Sequence, residues 1–497
     1  MAIDHGTFSR PARLAASLAQ GTEEDCAHLF LKKSVLIRLE SAFGHLQDAR
    51  ETFLFAVNQV LRFCPNVGLL VPPKFQNLAD RGTDIATAIH GADRCIQIVH
   101  SDDEAAAFDA TINVGTAMTN DLPWITVNSS GWLARVATAS SGVKALPWFP
   151  ASANACGSLA AACLGAGAAF LTILGPPPNI SQEISLFSHQ EADLGVLHAG
   201  PALPSDPLEI DAFLVGCGAV TNGWAYTIKR LPIVGSLQAI DRQALRIQNL
   251  GPYVLATRAQ IQTPKAQIIA DFLAPTIMVT ARPEEWELFK IRLNGITVPA
   301  LIVSGLDHVG TRHSVQRVWP ETLIDMGAGA LTTQVIVKPA ATDALCLLHA
   351  LDIPPGEHEW AKRLALETGL SPKRIRDEPV TEITQVDIDT AGTAHRAQLE
   401  KSRGELICGR VTEQNLTMEA DNPDFAPAVP FVTAFSGVVG AAESLKRLMG
   451  ISSGLHYQRH FLSNRSRALR MLCDPECECK SAKANRIATV STNGRSV

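Results

Sequence analysis

Two groups of residues in this 497-residue chain have types and spacings suited to chemistry. The first is the glycine turn GCGAVTN (216–222), set between the apolar run AFLVG (212–216) and the helical stretch WAYTIKRL (224–231). A strand, a GxG turn and a helix make a cradle for phosphate. Gly216 and Gly218 permit a tight turn and close backbone approach, and the helix N-terminus supplies N–H donors and positive dipole. Asp241 ends the next apolar run (236–240), about 20 residues on, where a ribose hydroxyl would be held. Thr221 and Asn222 stand in the region of the missing third glycine, so a tight packing turn without a ligand is the alternative. Further along, Asp307 follows the strand-like run 299–305, a place to hold Mg²⁺ on a nucleotide triphosphate, and Lys265 offers a point charge for phosphate. Either residue alone reads as solvated surface; their order behind the glycine turn makes them candidates.

The second group is sulfur. Eleven cysteines in this length are too dilute for a disulfide scaffold, and the number is odd. The N-terminal stretch lacks the basic start and apolar core of a secretory signal, so the expectation is a cytoplasmic chain with reduced thiols. CDPECEC (473–479) offers Cys473, Cys477 and Cys479, and CLLH (346–349) offers Cys346 and His349. A Cys₃–His or Cys₄ zinc site is one reading; a free thiol pair or a reactive cysteine in a tail is the other. Cys217, inside the glycine turn, reads as structural.

These residues must be positioned by a globular framework. Hydrophobic residues make up 46% of the chain and charged ones 19%, with a net charge of −6. That is ample core material, and it argues against a nucleic-acid binder relying on a general basic surface. Residues 155–174 are uncharged and long enough to span a membrane, but they are Ala- and Gly-rich without a basic flank, so a buried helix is expected. Strands are expected at 34–41, 67–72, 95–100, 110–115 and 125–136, with a helix over 45–63. A second series follows at 212–216, 236–240, 276–281, 299–305 and 330–337. Strands alternating with helices predict α/β architecture with a mostly parallel sheet. Helices are expected at 357–367 and 430–450, the latter with a Gly C-cap.

The motif order resembles that of the ThiF/MoeB/E1 superfamily, which activates ubiquitin-like proteins. GCGAVTN, Asp241, Asn249–Leu250, Pro264–Lys265–Ala266 and Asp307 with Arg312 follow the family's order. SGVVGAAESLKRLMG is similar to its closing helix through Gly437, Gly440, Glu443 and Lys446. The resemblance covers about 208–450. It implies a Rossmann-like adenylation fold, with ATP held through Gly216, Gly218, Asp241, Asn249, Lys265 and Arg312, Mg²⁺ held by Asp307, and Asp307 and Lys265 acting in catalysis. It also implies adenylation of a carrier's C-terminal carboxylate, a thioester on a cysteine before the closing helix, and transfer to an E2-like partner. Cys408 in GELICGRV fits that cysteine, Arg410 lying close enough in sequence to lower its pKa. The family's zinc-binding CxxC pairs correspond in order, not spacing, to the Cys346/His349 and Cys473/Cys477/Cys479 groups. Gly251–Pro252 stands where the family carries arginine, leaving Arg242, Arg246 or Arg258 to neutralise phosphate.

The expected organisation is a loose N-terminus (1–25), a degenerate adenylation-like domain (26–204), an ATP-binding adenylation domain (205–340), a helical insertion with the candidate cysteine (341–425), the closing helix (426–455) and a Cys-containing tail (456–497). In the first half, SVLIRLESAFGH (34–45), ATINVGT (110–116) and NACGSLAAACLGAGAAF (154–170) sit where the turn, the Asp-ended strand and the closing helix of a second copy would fall. Expected partners are a ubiquitin-like carrier, an E2-like protein and a second copy of the chain, with no nucleic acid or membrane. Such chains resemble E1-like proteins of bacterial conjugation operons, some of them antiviral. Competing readings are a non-catalytic scaffold, a sulfur-carrier adenylyltransferase and an NAD-dependent oxidoreductase, the last disfavoured by Asp307 and by the lack of a paired catalytic His/Tyr–Lys set in the sequence.

Overall fold

The computed structural model describes residues 5–19, 22–91, 96–101, 104, 107–119, 123–147, 152–293, 298–351, 365–366, 368–377, 382–404, 429–451, 453–473 and 477–480. Each half of the chain builds an eight-stranded sheet. The first contains β1 (Ser34–Leu39), β2 (Asn66–Leu70), β3 (Gln97–Ile98), β4 (Ala110–Val114), β5 (Trp124–Ser130), β6 (Leu133–Thr138), β7 (Ser181–Ser185) and β8 (Glu191–Ala192). The second contains β9 (Leu208–Val215), β10 (Ile233–Ile240), β11 (Ile277–Arg282), β12 (Leu301–Ser304), β13 (Thr322–Gly329), β14 (Thr332–Pro339), β15 (Leu455–His460) and β16 (Arg465–Leu469). The orders are β3-β2-β1-β4-β5-β6-β7-β8 and β11-β10-β9-β12-β13-β14-β15-β16, one the other shifted by eight strands. In each sheet the first five strands in this order run parallel and the remaining three antiparallel. This is the Rossmann-like α/β fold expected, present twice.

The parallel strands are continuous apolar runs because helices cover both faces; every residue of β4 and β12 is buried. The labelled helices are α1 (His5–Ala19), α2 (Glu23–Lys32), α3 (Gln47–Val60), α4 (Gln76–His90), α5 (Cys156–Leu174), α6 (Ala219–Ile228), α7 (Lys265–Leu273), α8 (Trp286–Ile291), α9 (Val309–Gln316), α10 (Leu347–Ala350) and α11 (Pro430–Leu448). α5 lies on β4, β5 and β6; α11 lies on β13 and β14; and the two pack against each other with α3 and α6 alongside. The two sheets therefore share one central helical layer and one hydrophobic core. The membrane-like composition of α5 has this origin: 17 of its 19 residues are buried within the protein.

Small residues let the central helices meet backbone to backbone. A Cβ on Gly437 would stand 2.3 Å from the Trp224 nitrogen and the Val220 oxygen. Polar groups also tie the lobes together. His189 Nε2 lies 2.6 Å from Glu443 Oε1, and Lys446 ion-pairs with the same carboxylate. The Arg62 guanidinium, fully buried, donates to the carbonyls of Leu250, Val254 and Ala256.

Some expected boundaries differ. The run 125–136 is a hairpin rather than one strand: Gly131 takes φ +59° and reverses the chain between β5 and β6. β13 and β14 are likewise a hairpin, where only 330–337 was expected as a strand. The segment from 456 onward is not simply a tail, since β15 and β16 complete the second sheet. The expected helix at 357–367 falls mostly outside the described residues, and Cys408 lies outside them altogether.

Candidate functional site

In a doubly wound sheet, ligands bind beyond the carboxyl ends of the strands where the order reverses. In the second lobe that point lies between β9 and β12, which both pair with matched ends at Val215 and Ser304. The chain leaves β9 through Gly216, at φ +80°, and enters α6 at Gly218. Opposite stands the loop after β12. A Cβ on Gly216 would lie 3.1 Å from the Gly305 carbonyl, and one on Gly218 would lie 3.6 Å from the same oxygen. The glycine turn and the Asp307 loop thus lie side by side at this crevice, with Val220 and Thr221 close against Gly305.

Asp241 closes β10 beside this turn. Its Oδ2 accepts from the Cys217 N–H at 2.7 Å and its Oδ1 from the Gln243 N–H at 2.7 Å. The carboxylate holds the turn in shape, and each oxygen keeps lone-pair capacity for a further donor. Lys265 begins α7, is 6% exposed and donates from Nζ to Gln243 Oε1 at 2.5 Å. Burial opposes its charge, but the Tyr253 phenol and the Asp241 and Asp307 carboxylates outweigh it and raise the lysine above its ordinary value. Lys265 therefore presents a full positive charge between two acids. Asp307 itself is exposed at the crevice. Cys217 is completely buried, and desolvation followed by the nearby Asp241 charge pushes its thiol well up. Its environment is that of an inert packing residue.

Two of the sequence candidates are engaged within the protein. The Asn249 side chain is buried and accepts from the Arg246 N–H at 2.9 Å, closing a short turn. The Arg312 guanidinium is clamped on the Asp325 carboxylate of β13, its Nε donating at 3.0 Å to Oδ2. Of the substitute arginines, Arg242 faces Glu285 at 3.1 Å. Sequence reasoning missed Tyr253, whose hydroxyl would lie 3.7 Å from a Cβ on Gly218. Its only sequence signal is that it follows the Asn249–Leu250 pair and is one of just 3 tyrosines.

The matching strand ends of the first lobe are occupied differently. Glu40 follows β1 as Gly216 follows β9, and Gly115 follows β4 as Gly305 follows β12. The Glu40 carboxylate turns inward, accepting from Asn113 Nδ2 at 2.5 Å and from the Ala117 N–H at 2.7 Å. A Cβ on Gly115 would fall 2.2 Å from it. A side-chain anion thus stands against Gly115, where in the second lobe Val220 and Thr221 approach Gly305, and the first lobe keeps a cavity lined by Phe43, Leu46, Thr52, Gly115 and Asn128.

The cysteine cluster assembles from distant parts of the chain. Cys346 precedes α10, and Cys473, Cys477 and Cys479 follow β16; their four sulfurs all lie within 4.8 Å of one another. Tetrahedral zinc with Zn–S near 2.3 Å places sulfurs about 3.8 Å apart, and Cys346 Sγ to Cys477 Sγ is 3.6 Å. The donor set fits a closed Cys₄ zinc site. Burial, followed by the neighbouring thiols, pushes Cys479 up to about 12. His349 is exposed, with Nδ1 3.7 Å from Cys346 Sγ, and stands outside the group of four.

No family model matches the chain. It is 30% identical over 206 residues to an uncharacterized protein, y4jF, of Sinorhizobium fredii, the match covering 39% of this chain and 37% of that protein. The chain therefore spans little more than a third of the length of this curated relative. Among solved structures it is similar to E. coli MccB, with a TM-score of 0.35 and 12% identity over 55% of this chain and 64% of that one. It is also similar to the microcin C7 biosynthetic enzyme MccB in complex with N-formylated MccA (TM-score 0.33, 13% identity, 55% and 67% coverage). A third is PaaA (TM-score 0.32, 12% identity, 54% and 65% coverage).

Proposed function

We propose that the chain is an ATP-dependent adenylating enzyme that activates a C-terminal carboxylate on a carrier protein or peptide. One observation carries the reading: the Gly216–Gly218 turn, the loop bearing Asp307, Asp241 and the buried ammonium of Lys265 converge at the carboxyl end of the second sheet. The N–H groups at the start of α6 and the Lys265 charge bind phosphate, and Asp241 accepts from ribose while pinning the turn. Asp307 would hold Mg²⁺, which when bound neutralises charge on the phosphate oxygens. The carboxylate oxygen attacks the α-phosphorus, the bond to the β-phosphate oxygen breaks, and pyrophosphate leaves. In the fuller form of this reading, the carrier is ubiquitin-like. The Cys408 thiolate then attacks the acyl carbon of the adenylate, AMP leaves, and the thioester passes to an E2-like protein. The Cys₄ cluster binds zinc in a structural role.

The test is ATP–pyrophosphate exchange with a candidate carrier, followed by mass spectrometry of the cysteines. Exchange that Asp307→Asn lowers about 100-fold supports adenylation; wild-type protein that binds Mg-ATP but gives no exchange supports the second reading. That second reading is a scaffold that binds nucleotide or carrier without turnover. Its specific support is that Asn249 and Arg312 are engaged internally and that Gly251–Pro252 supplies no cation.

A further inference from the structure

We propose that Tyr253 and Lys265 are the phosphate-facing pair of the second-lobe crevice, the Tyr253 hydroxyl donating to a nucleotide phosphate where arginine is absent. The inference deepens the ATP reading and rests on it.

Tyr253 is rigidly placed. Its segment is gripped from the first lobe, where Arg62 Nη2 donates to the Val254 and Ala256 carbonyls at 2.9 and 3.1 Å. Asn58 Nδ2 donates to the Val254 carbonyl at 3.1 Å. From the second lobe, the Thr433 hydroxyl donates to the Pro252 carbonyl at 3.1 Å. The ring is 6% exposed, and the Lys265 ammonium lies 5.1 Å from its centre. The hydroxyl would stand 3.7 Å from a Cβ on Gly218, the residue that caps α6. A phosphate seated on the first N–H groups of α6 therefore comes within reach of the phenol.

The direction of the hydrogen bond follows from the chemistry. An ammonium has three donors and no acceptor, so the phenolic proton cannot be directed at Lys265. Among the described residues no acceptor bonds that hydroxyl. Bound phosphate supplies acceptor-only oxygens, and the adjacent ammonium polarises the phenol as a donor toward them. One neutral donor, Tyr253, thus follows Gly251–Pro252, where the family resemblance leads one to expect arginine, and works beside the buried cation of Lys265.

Isothermal titration of the full chain with Mg-ATP and, separately, with adenosine tests this. Tyr253→Phe should weaken Mg-ATP binding about tenfold, the size of one hydrogen bond to a charged group, and leave adenosine binding unchanged. Lys265→Gln should weaken Mg-ATP binding further, again with adenosine retained. Unchanged Mg-ATP affinity in Tyr253→Phe overturns the proposal while leaving the nucleotide reading standing. Equal weakening for ATP and adenosine overturns it too, since the ring would then act by packing alone. Wild-type protein that binds neither ligand overturns both this proposal and the nucleotide reading.

Discussion

At the residue scale, the crevice is governed by what is missing: side chains at Gly216, Gly218 and Gly305. Gly218 is the informative position. Its φ is −80°, which any residue adopts, and an added Cβ would meet the Gly305 carbonyl at 3.6 Å and the Tyr253 hydroxyl at 3.7 Å, both ordinary contacts. Gly218→Ala should therefore fold with a urea midpoint close to wild type and yet weaken Mg-ATP binding at least about tenfold, because its methyl occupies the cradle. A loss of stability matching the loss of binding would instead mark the turn as packing only. The glycines, Asp241, Lys265 and Asp307 were legible in the sequence because turn chemistry and strand ends are local properties. Tyr253 was not, since its approach to Gly218 depends on how 249–256 is gripped by Arg62 and Thr433. The roles suggested for Asn249 and Arg312 also could not be weighed beforehand: nothing local reveals that Asp325, on the neighbouring strand, captures the guanidinium.

At the element scale, α11 and α6 cross with almost no space between backbones. A Cβ on Gly437 would fall 2.3 Å from backbone atoms of Val220 and Trp224, which cannot yield as a flexible side chain could. Gly437→Ala should destabilise the protein by about 1–3 kcal/mol, as overpacking does. Gly329→Ala, whose Cβ would meet nothing within 4 Å, should stay within about 0.5 kcal/mol of wild type. Urea-unfolding midpoints of the two variants check the contrast. The cysteine cluster is also an element-scale device, joining the start of α10 to the chain after β16 through Cys346 and Cys473, Cys477 and Cys479. Metal analysis should find about one zinc per chain, and Cys477→Ser should lower both zinc content and Tm, whereas His349→Ala should leave zinc content unchanged. Zinc retention lost in His349→Ala would revise the ligand set. The three cysteines of CDPECEC drew notice by composition, but the choice of Cys346 over His349 as their partner required the fold.

At the scale of the whole molecule, two copies of one sheet order face each other across a shared helical layer, and buried charges lock them together. His189 stands between Glu443, Lys446 and the Tyr457 ring. Burial is the largest influence on it and, helped by the Lys446 charge, prevails over Glu443 to lower its pKa. A histidine whose folded pKa is depressed gives full stability above its ordinary value near 6.5 and loses it as pH falls below that. Glu443 is also lowered, its burial overcome by His189 and Lys446, so its contribution disappears in the same direction below about 4.5. The urea midpoint should therefore drop between pH 7 and pH 5.5, with a slope of at most about 1.4 kcal/mol per pH unit for one proton. His189→Gln should flatten that drop. An identical pH slope in the variant would show that other groups set it.

The alternation of apolar runs, the glycine turn and the ordered acids were determined by the sequence itself, since periodicity, backbone freedom and strand ends act over a few residues. It also pointed to a second copy in the first half, although not to how its strand ends are occupied. That answer came from tertiary structure, where Glu40 folds onto Gly115 from a different strand. Tertiary structure likewise decided that the apolar helix α5 lies buried between two sheets, that the last strands belong to the second sheet, and that the Tyr253 hydroxyl lies beside Gly218. Each of these depends on contacts between residues far apart in the chain, and such contacts exist only once the two sheets have closed on their common helices.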